Sequence, residues 1–152
     1  MWQTSGISRI SDNSGMVSEG GVLVGERSIL VVEDSENSAM LLEITLSEIP
    51  AVTVVLTTSA LEAWRILSAQ DQSIRAIVTD LNMPRMDGFE LIRRVREDGR
   101  LAATPIIVVS ADTDPSTPRR IAQLGVNAFF AKPFSPAQVR RKLEQILNGK
   151  TD

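Results

Sequence analysis

The chain contains no histidine, no cysteine and no tyrosine, and only four phenylalanines and two tryptophans. Without histidine there is no imidazole to serve as general base or metal ligand and no internal phosphohistidine. If phosphorus passes through histidine at any stage, that histidine belongs to another molecule. Without cysteine there is no disulfide framework and no thiolate metal site, which fits a reducing cytoplasm. No apolar run reaches membrane-spanning length, and the first residues lack the basic-then-apolar order of a signal peptide. We therefore expect a cytoplasmic protein without a membrane partner. Positive charge is not in excess either: 16 Lys and Arg stand against 19 Asp and Glu, a net charge of −3, which argues against nucleic acid as a direct partner.

What is present is an ordinary globular composition, 43% hydrophobic and 23% charged, in a chain of 152 residues, the size of one domain. Residues 1–27 are rich in Ser and Gly, show no sustained periodicity and include a second methionine, Met16. They read as a flexible N-terminal extension, with Val22-Leu23-Val24 a short run able to pack loosely on the domain. Residues 28–150 carry the folded domain.

Within that domain apolar runs and helical patterns alternate five times. The runs are Ser28–Val32, Ala51–Leu56, Ile74–Thr79, Thr104–Val109 and Asn127–Ala131, continuous rather than alternating in polarity. Between them lie helical spacings: Ala39, Leu42, Leu46 and Ile49 before Pro50; Leu61, Trp64 and Leu67 after a Ser59/Glu62 capping box; Leu91, Ile92 and Val95 after an Asp87/Glu90 cap. The start of a fourth helix is ambiguous between Pro115 and Pro118, and the fifth opens with Ser135-Pro136-Ala137-Gln138 and stops at Asn148-Gly149. Arg93, Arg94 and Arg96 read as an outward, solvated face. Continuous apolar strands separated by helices call for a parallel sheet covered on both faces, a doubly wound α/β fold with right-handed crossovers.

In such a sheet the C-terminal strand ends share one edge, where ligands bind. The first strand delivers Glu33 and Asp34 to that edge, the third Asp80, the fourth Ser110 and the fifth Lys132. Three carboxylates so gathered repel one another by about 4 kcal/mol per pair at ~4 Å and an effective dielectric near 20. Lys132 supplies one positive charge; a hard divalent cation with oxygen ligands, expected to be Mg²⁺, supplies the rest. The Asp80 carboxylate is then placed to attack a phosphoryl group, with Lys132 and the Ser110 hydroxyl meeting its oxygens.

These residues resemble the receiver domain of a two-component response regulator, of the single-domain chemotaxis type. The match spans about Ser28 to Asn148 and is carried by Glu33-Asp34, by Asp80-Leu81-Asn82-Met83-Pro84-Arg85-Met86-Asp87-Gly88, by Ser110-Ala111 and by Lys132-Pro133-Phe134. The resemblance implies a flavodoxin-like strand order, 2-1-3-4-5, and Mg²⁺ held by Asp34, Asp80 and the backbone carbonyl of Asn82, with Glu33 acting through water. It implies phosphoryl transfer to Asp80 from a sensor histidine kinase or phosphotransfer protein, and a switch through Ser110 and Phe129 that changes contacts with a downstream protein target. It also implies a cis Lys132-Pro133 bond, and an influence of Asn82 and Asp112 on the lifetime of the phosphate. Phe129 stands where the family often has tyrosine, so the switch ring here lacks a hydroxyl.

Only three residues follow Gly149, so a single-domain regulator is expected, with a receiver fragment of a longer regulator as the alternative. Two others are an unphosphorylated pseudo-receiver scaffold and a phosphoaspartate hydrolase. The hydrolase is disfavoured because Asn82, not aspartate, stands two residues after Asp80. The expected protein is not an enzyme beyond catalysing its own phosphorylation and dephosphorylation.

Overall fold

The computed structural model describes residues 27–69 and 73–149; the expected N-terminal extension, apart from Arg27, and its Val22–Val24 run lie outside these. The five apolar runs form strands β1 (Arg27–Val32), β2 (Val52–Thr57), β3 (Ile74–Thr79), β4 (Ile106–Ser110) and β5 (Ala128–Ala131). Helices α1 (Glu36–Ser47), α2 (Ala60–Ser68), α3 (Gly88–Glu97), α4 (Thr117–Gln123) and α5 (Pro136–Leu147) follow them in turn. All pairings are parallel and the order is β2-β1-β3-β4-β5. This is the doubly wound, flavodoxin-like arrangement anticipated from the sequence.

The strands are apolar on both sides because both sides are covered. Ile29 and Val31 pack with Leu42 and Leu46 of α1 and Val139 and Leu143 of α5. Leu30 and Val32 pack on the opposite face with Ala63 and Leu67 of α2, Leu91 and Ile92 of α3 and Ile121 of α4. Each such fully buried aliphatic side chain contributes roughly 1.5–3 kcal/mol, so the central strands are the anchor against which the strand ends are held.

Helix starts follow the capping residues. The side chains of Ser35, Ser59, Asp87 and Ser135 each accept a hydrogen bond from the backbone N–H three residues on. The fourth helix begins at Thr117, which puts Pro118, not Pro115, in its first turn.

Arg96 departs from the expectation of a solvated arginine face. Arg93 pairs with Glu90 and Glu97, and Arg94 pairs with Glu90 while lying 5.8 Å from the Trp64 ring centre. Arg96 instead turns inward: Nε donates to the Leu124 carbonyl (2.7 Å), Nη2 to Gly125 (3.0 Å), and Nη1 to Ala102 (2.9 Å) and Thr104 (2.8 Å). Its planar fork ties the end of α4 to the loop before β4. A residue type counted as polar can lie along a helix while its head reaches distant carbonyls, and periodicity does not see this. An Arg96→Lys chain keeps the charge but gathers its donors on a single nitrogen, which cannot span the four acceptors the guanidinium fork reaches. We expect it to lose roughly 1–2 kcal/mol in urea unfolding, against little change for Arg93→Lys; equal midpoints for the two would show that the four contacts contribute nothing.

Candidate functional site

The ladder of backbone hydrogen bonds continues past the strands and carries the site residues with it. The Glu33 N–H donates to Thr57 (3.0 Å), the Asp80 N–H to Val32 (3.0 Å) and the Lys132 N–H to Ser110 (2.9 Å). Asp80 is thereby set beside the end of β1, and Lys132 beside the end of β4. Glu33 and Ser110 are wholly buried, Asp80 is 5% exposed, and Asp34 is open to solvent.

Lys132 Nζ lies 2.9 Å from Asp80 Oδ2 and 2.9 Å from Glu33 Oε1. The other oxygens are held by backbone: Asp80 Oδ1 accepts from Leu81 N–H (2.6 Å) and, more distantly, Asn82 N–H (3.4 Å), and Glu33 Oε2 accepts from Ser35 N–H (2.9 Å). Both oxygens of Asp80 are thus engaged, which fixes the plane of the carboxylate. Burial pushes the Glu33 carboxyl above its ordinary value, opposed by Lys132 and the Ser35 amide. Burial also works against the Lys132 ammonium, but its contacts with Asp80 and Glu33 outweigh it and hold the group above its usual value.

Glu33, Asp34 and Asp80 each place a carboxylate oxygen within 4.8 Å of the others. The donors are all oxygen, and with all three ionised one lysine leaves two negative charges, the charge of one divalent cation. The set fits a hard cation such as Mg²⁺. Ionised carboxylates retain free lone pairs after these contacts, so Lys132 and a cation are not mutually exclusive.

Ser110 closes β4, two residues beyond Val108, which pairs with Thr79. Its Oγ accepts from the Asp112 N–H (3.1 Å). Asp112 organises the loop after β4: its Oδ1 accepts from Asp114 N–H (2.8 Å) and from the Thr117 hydroxyl (2.9 Å). Thr117 is almost fully buried at the start of α4 and was not singled out from sequence; its signal is weak, a threonine among polar neighbours. Asn82 is exposed in the loop after β3. Phe129 of β5 is half-buried against the core on the α2–α3–α4 side. The Lys132-Pro133 bond is cis.

Gly88 is a second residue whose role sequence did not reveal. Its N–H donates to the Leu81 carbonyl (2.8 Å), and a Cβ placed on it would lie 2.1 Å from the Asp80 carbonyl oxygen and 2.7 Å from Leu81 Cα. The first turn of α3 therefore sits directly on the backbone of Asp80, a contact only glycine permits.

The family model for the response regulator receiver domain matches residues 29–144. Among curated proteins, the chain is 34% identical over 119 residues to the chemotaxis protein CheY1 of Helicobacter pylori, covering 78% of this chain and 95% of that one. It is 32% identical to the CheY homologue of Campylobacter jejuni, over 78% and 91% of the two chains. Among solved structures, a response regulator receiver protein from Pseudomonas putida superposes with a TM-score of 0.72 at 32% identity, covering 79% of this chain and 97% of that one. The chemotaxis response regulator CheY4 of Vibrio cholerae gives 0.69 at 27%, covering 80% and 98%. A strand order of β2-β1-β3-β4-β5, an acidic cluster met by a lysine, and a family match over most of its length place this chain in the response regulator receiver family of two-component signalling.

Proposed function

We propose that the domain, residues 28–150, is a Mg²⁺-dependent phosphoryl acceptor that receives its phosphoryl group on Asp80 from a phosphohistidine of a kinase or phosphotransfer protein in the cytoplasm. The observation that carries this reading is the paired engagement of Asp80, Oδ2 by Lys132 and Oδ1 by the Leu81 amide, inside a cluster of three carboxylates.

The Asp80 carboxylate supplies the nucleophilic oxygen: a P–O bond forms as the bond from phosphorus to the donor nitrogen breaks, and the acyl phosphate stays on the protein. Asp34, Asp80 and the Asn82 carbonyl would hold Mg²⁺, with Glu33 acting through water; when bound, the ion neutralises charge on the transferring oxygens. Lys132 offers an ammonium already aimed at Asp80, so little reorganisation accompanies its contact with phosphate. The Ser110 hydroxyl, which here accepts from Asp112, would donate to a phosphate oxygen. Movement of Ser110 towards the phosphate would leave space beside β5 for the Phe129 ring, whose half-buried position is open to change, and so alter the surface offered to a downstream protein target.

The histidine-free sequence makes the test clean. Incubated with acetyl phosphate and Mg²⁺, the protein is expected to take up at most one phosphoryl group per chain, released by hydroxylamine as an acyl phosphate is and absent when EDTA replaces the metal. No uptake, uptake without magnesium, or label stable to hydroxylamine would overturn the assignment.

A further inference from the structure

A groove of about 800 Å³ runs between α2, α3 and α4, and it includes none of the residues assigned above to the phosphoryl site. Its walls are part apolar, from Leu61, Met86 and Leu124, and part cationic. Four arginines and two carboxylates line it, a local excess of positive charge on a chain whose net charge is −3.

The two carboxylates are already committed within the fold. Asp87 Oδ1 caps α3 by accepting from the Glu90 N–H (2.9 Å), and Glu90 is shared between Arg93 and Arg94. Arg85 and Arg120 make no ion pair with any described residue. Arg85, which also lines the groove, holds φ +69°, a left-handed backbone that is uncommon away from glycine.

The Arg120 guanidinium carbon lies over the Phe89 ring, 3.8 Å from its centre. A guanidinium held over an aromatic ring keeps its N–H donors for the fork that meets a carboxylate through two parallel hydrogen bonds. A stacked arginine is also ordered before its partner arrives, so less freedom is lost on binding.

We propose that this groove receives an acidic segment of a partner protein, whose carboxylates meet Arg85 and Arg120 and whose apolar side chain rests on Leu61, Met86 and Leu124. The mixed apolar and cationic lining suits a peptide with acidic and aliphatic positions interspersed.

The test titrates the ¹⁵N-labelled full chain with the peptide acetyl-Glu-Asp-Leu-Glu-Asp-Leu-Glu-amide, and with its Gln/Asn counterpart. The acidic peptide is expected to saturate, shifting the amides of residues 85–94 and 120–124. Its dissociation constant should rise at least tenfold in the Arg85→Ser/Arg120→Ser double variant, whose remaining spectrum reports an intact fold, and the neutral peptide should bind at least tenfold more weakly. Failure to saturate at millimolar peptide, shifts centred elsewhere, or unchanged affinity in the double variant would overturn the proposal. So would ATP, added in place of the peptide, saturating the same amides more tightly, since the groove would then be a nucleotide site.

Discussion

An Asp80→Asn chain is expected to take up no phosphoryl group from acetyl phosphate under conditions that load the parent, a loss of more than a thousandfold, while remaining folded. The amide oxygen is not a nucleophile towards phosphorus, and among the described residues no other carboxylate is held in the same way: Asp34 is exposed, and Glu33 is turned into the protein against Ser35 and Lys132. The fold should tolerate the change because the new Oδ1 can still accept from the Leu81 N–H, the shortest contact Asp80 makes. Lys132 loses one partner but keeps Glu33. Against that lost attraction stands relief of two repulsions, from Glu33 and Asp34, inside the same 4.8 Å cluster. The metal-free stability of the variant should therefore lie within about 1 kcal/mol of the parent. Magnesium gives the second readout. A ligand at about 100 times its dissociation constant stabilises the folded state by roughly 2.7 kcal/mol, and removing one of three carboxylates should cut the magnesium-induced rise in melting temperature to less than half. Equal uptake in the two chains, or an undiminished magnesium effect, would place the acceptor or the cation elsewhere.

The fold was legible because its main determinant is one-dimensional. Five continuous apolar runs demand cover on both faces, and Ile29/Val31 and Leu30/Val32 find it in opposite directions. Capping chemistry is equally local, so Ser35, Ser59, Asp87 and Ser135 mark helix starts as their spacing suggests. The convergence of Glu33, Asp34, Asp80 and Lys132 followed from parallel topology alone, since each ends or follows a strand. What escaped was decided by distance in sequence. Arg96 reads as one more cation on an exposed helix, and only the folded chain brings the carbonyls of Leu124 and Gly125 under its head. Thr117 reads as one more residue near an ambiguous helix start, and only the folded chain brings its hydroxyl to Asp112. Asp87-Gly88 reads as a turn or helix start, and Gly88 does open α3, but its backbone lies outside the left-handed region, so space rather than flexibility sets its identity.

Gly88→Ala is accordingly expected to have the largest effect on stability of the glycine-to-alanine changes among the described residues. An added Cβ would sit 2.1 Å from the Asp80 carbonyl oxygen and 2.7 Å from Leu81 Cα, and both obstacles are backbone, unable to swing away as a side chain tip can. Relief requires that α3 lift from the sheet or that the end of β3 shift. The first strains the packing of Leu91, Ile92 and Val95, all buried; the second moves Asp80 relative to Lys132. Overpacking of this kind costs typically 1–3 kcal/mol and more where nothing can yield, so we expect at least 3 kcal/mol in urea unfolding. Gly99→Ala is the control. No atom lies within 4 Å of its added Cβ, and its φ is outside the left-handed region, so alanine there should be neutral or slightly stabilising by restricting the unfolded chain. The chemistry should respond as well as the fold. A displacement of about 1 Å at a reacting group can cost on the order of a hundredfold in rate, so any Gly88→Ala protein that folds in the cold should accept phosphate far more slowly than Gly99→Ala. If the two alanine variants unfold at the same urea concentration and load at the same rate, the contact between α3 and the Asp80 backbone is not what sets the position of the acceptor carboxylate.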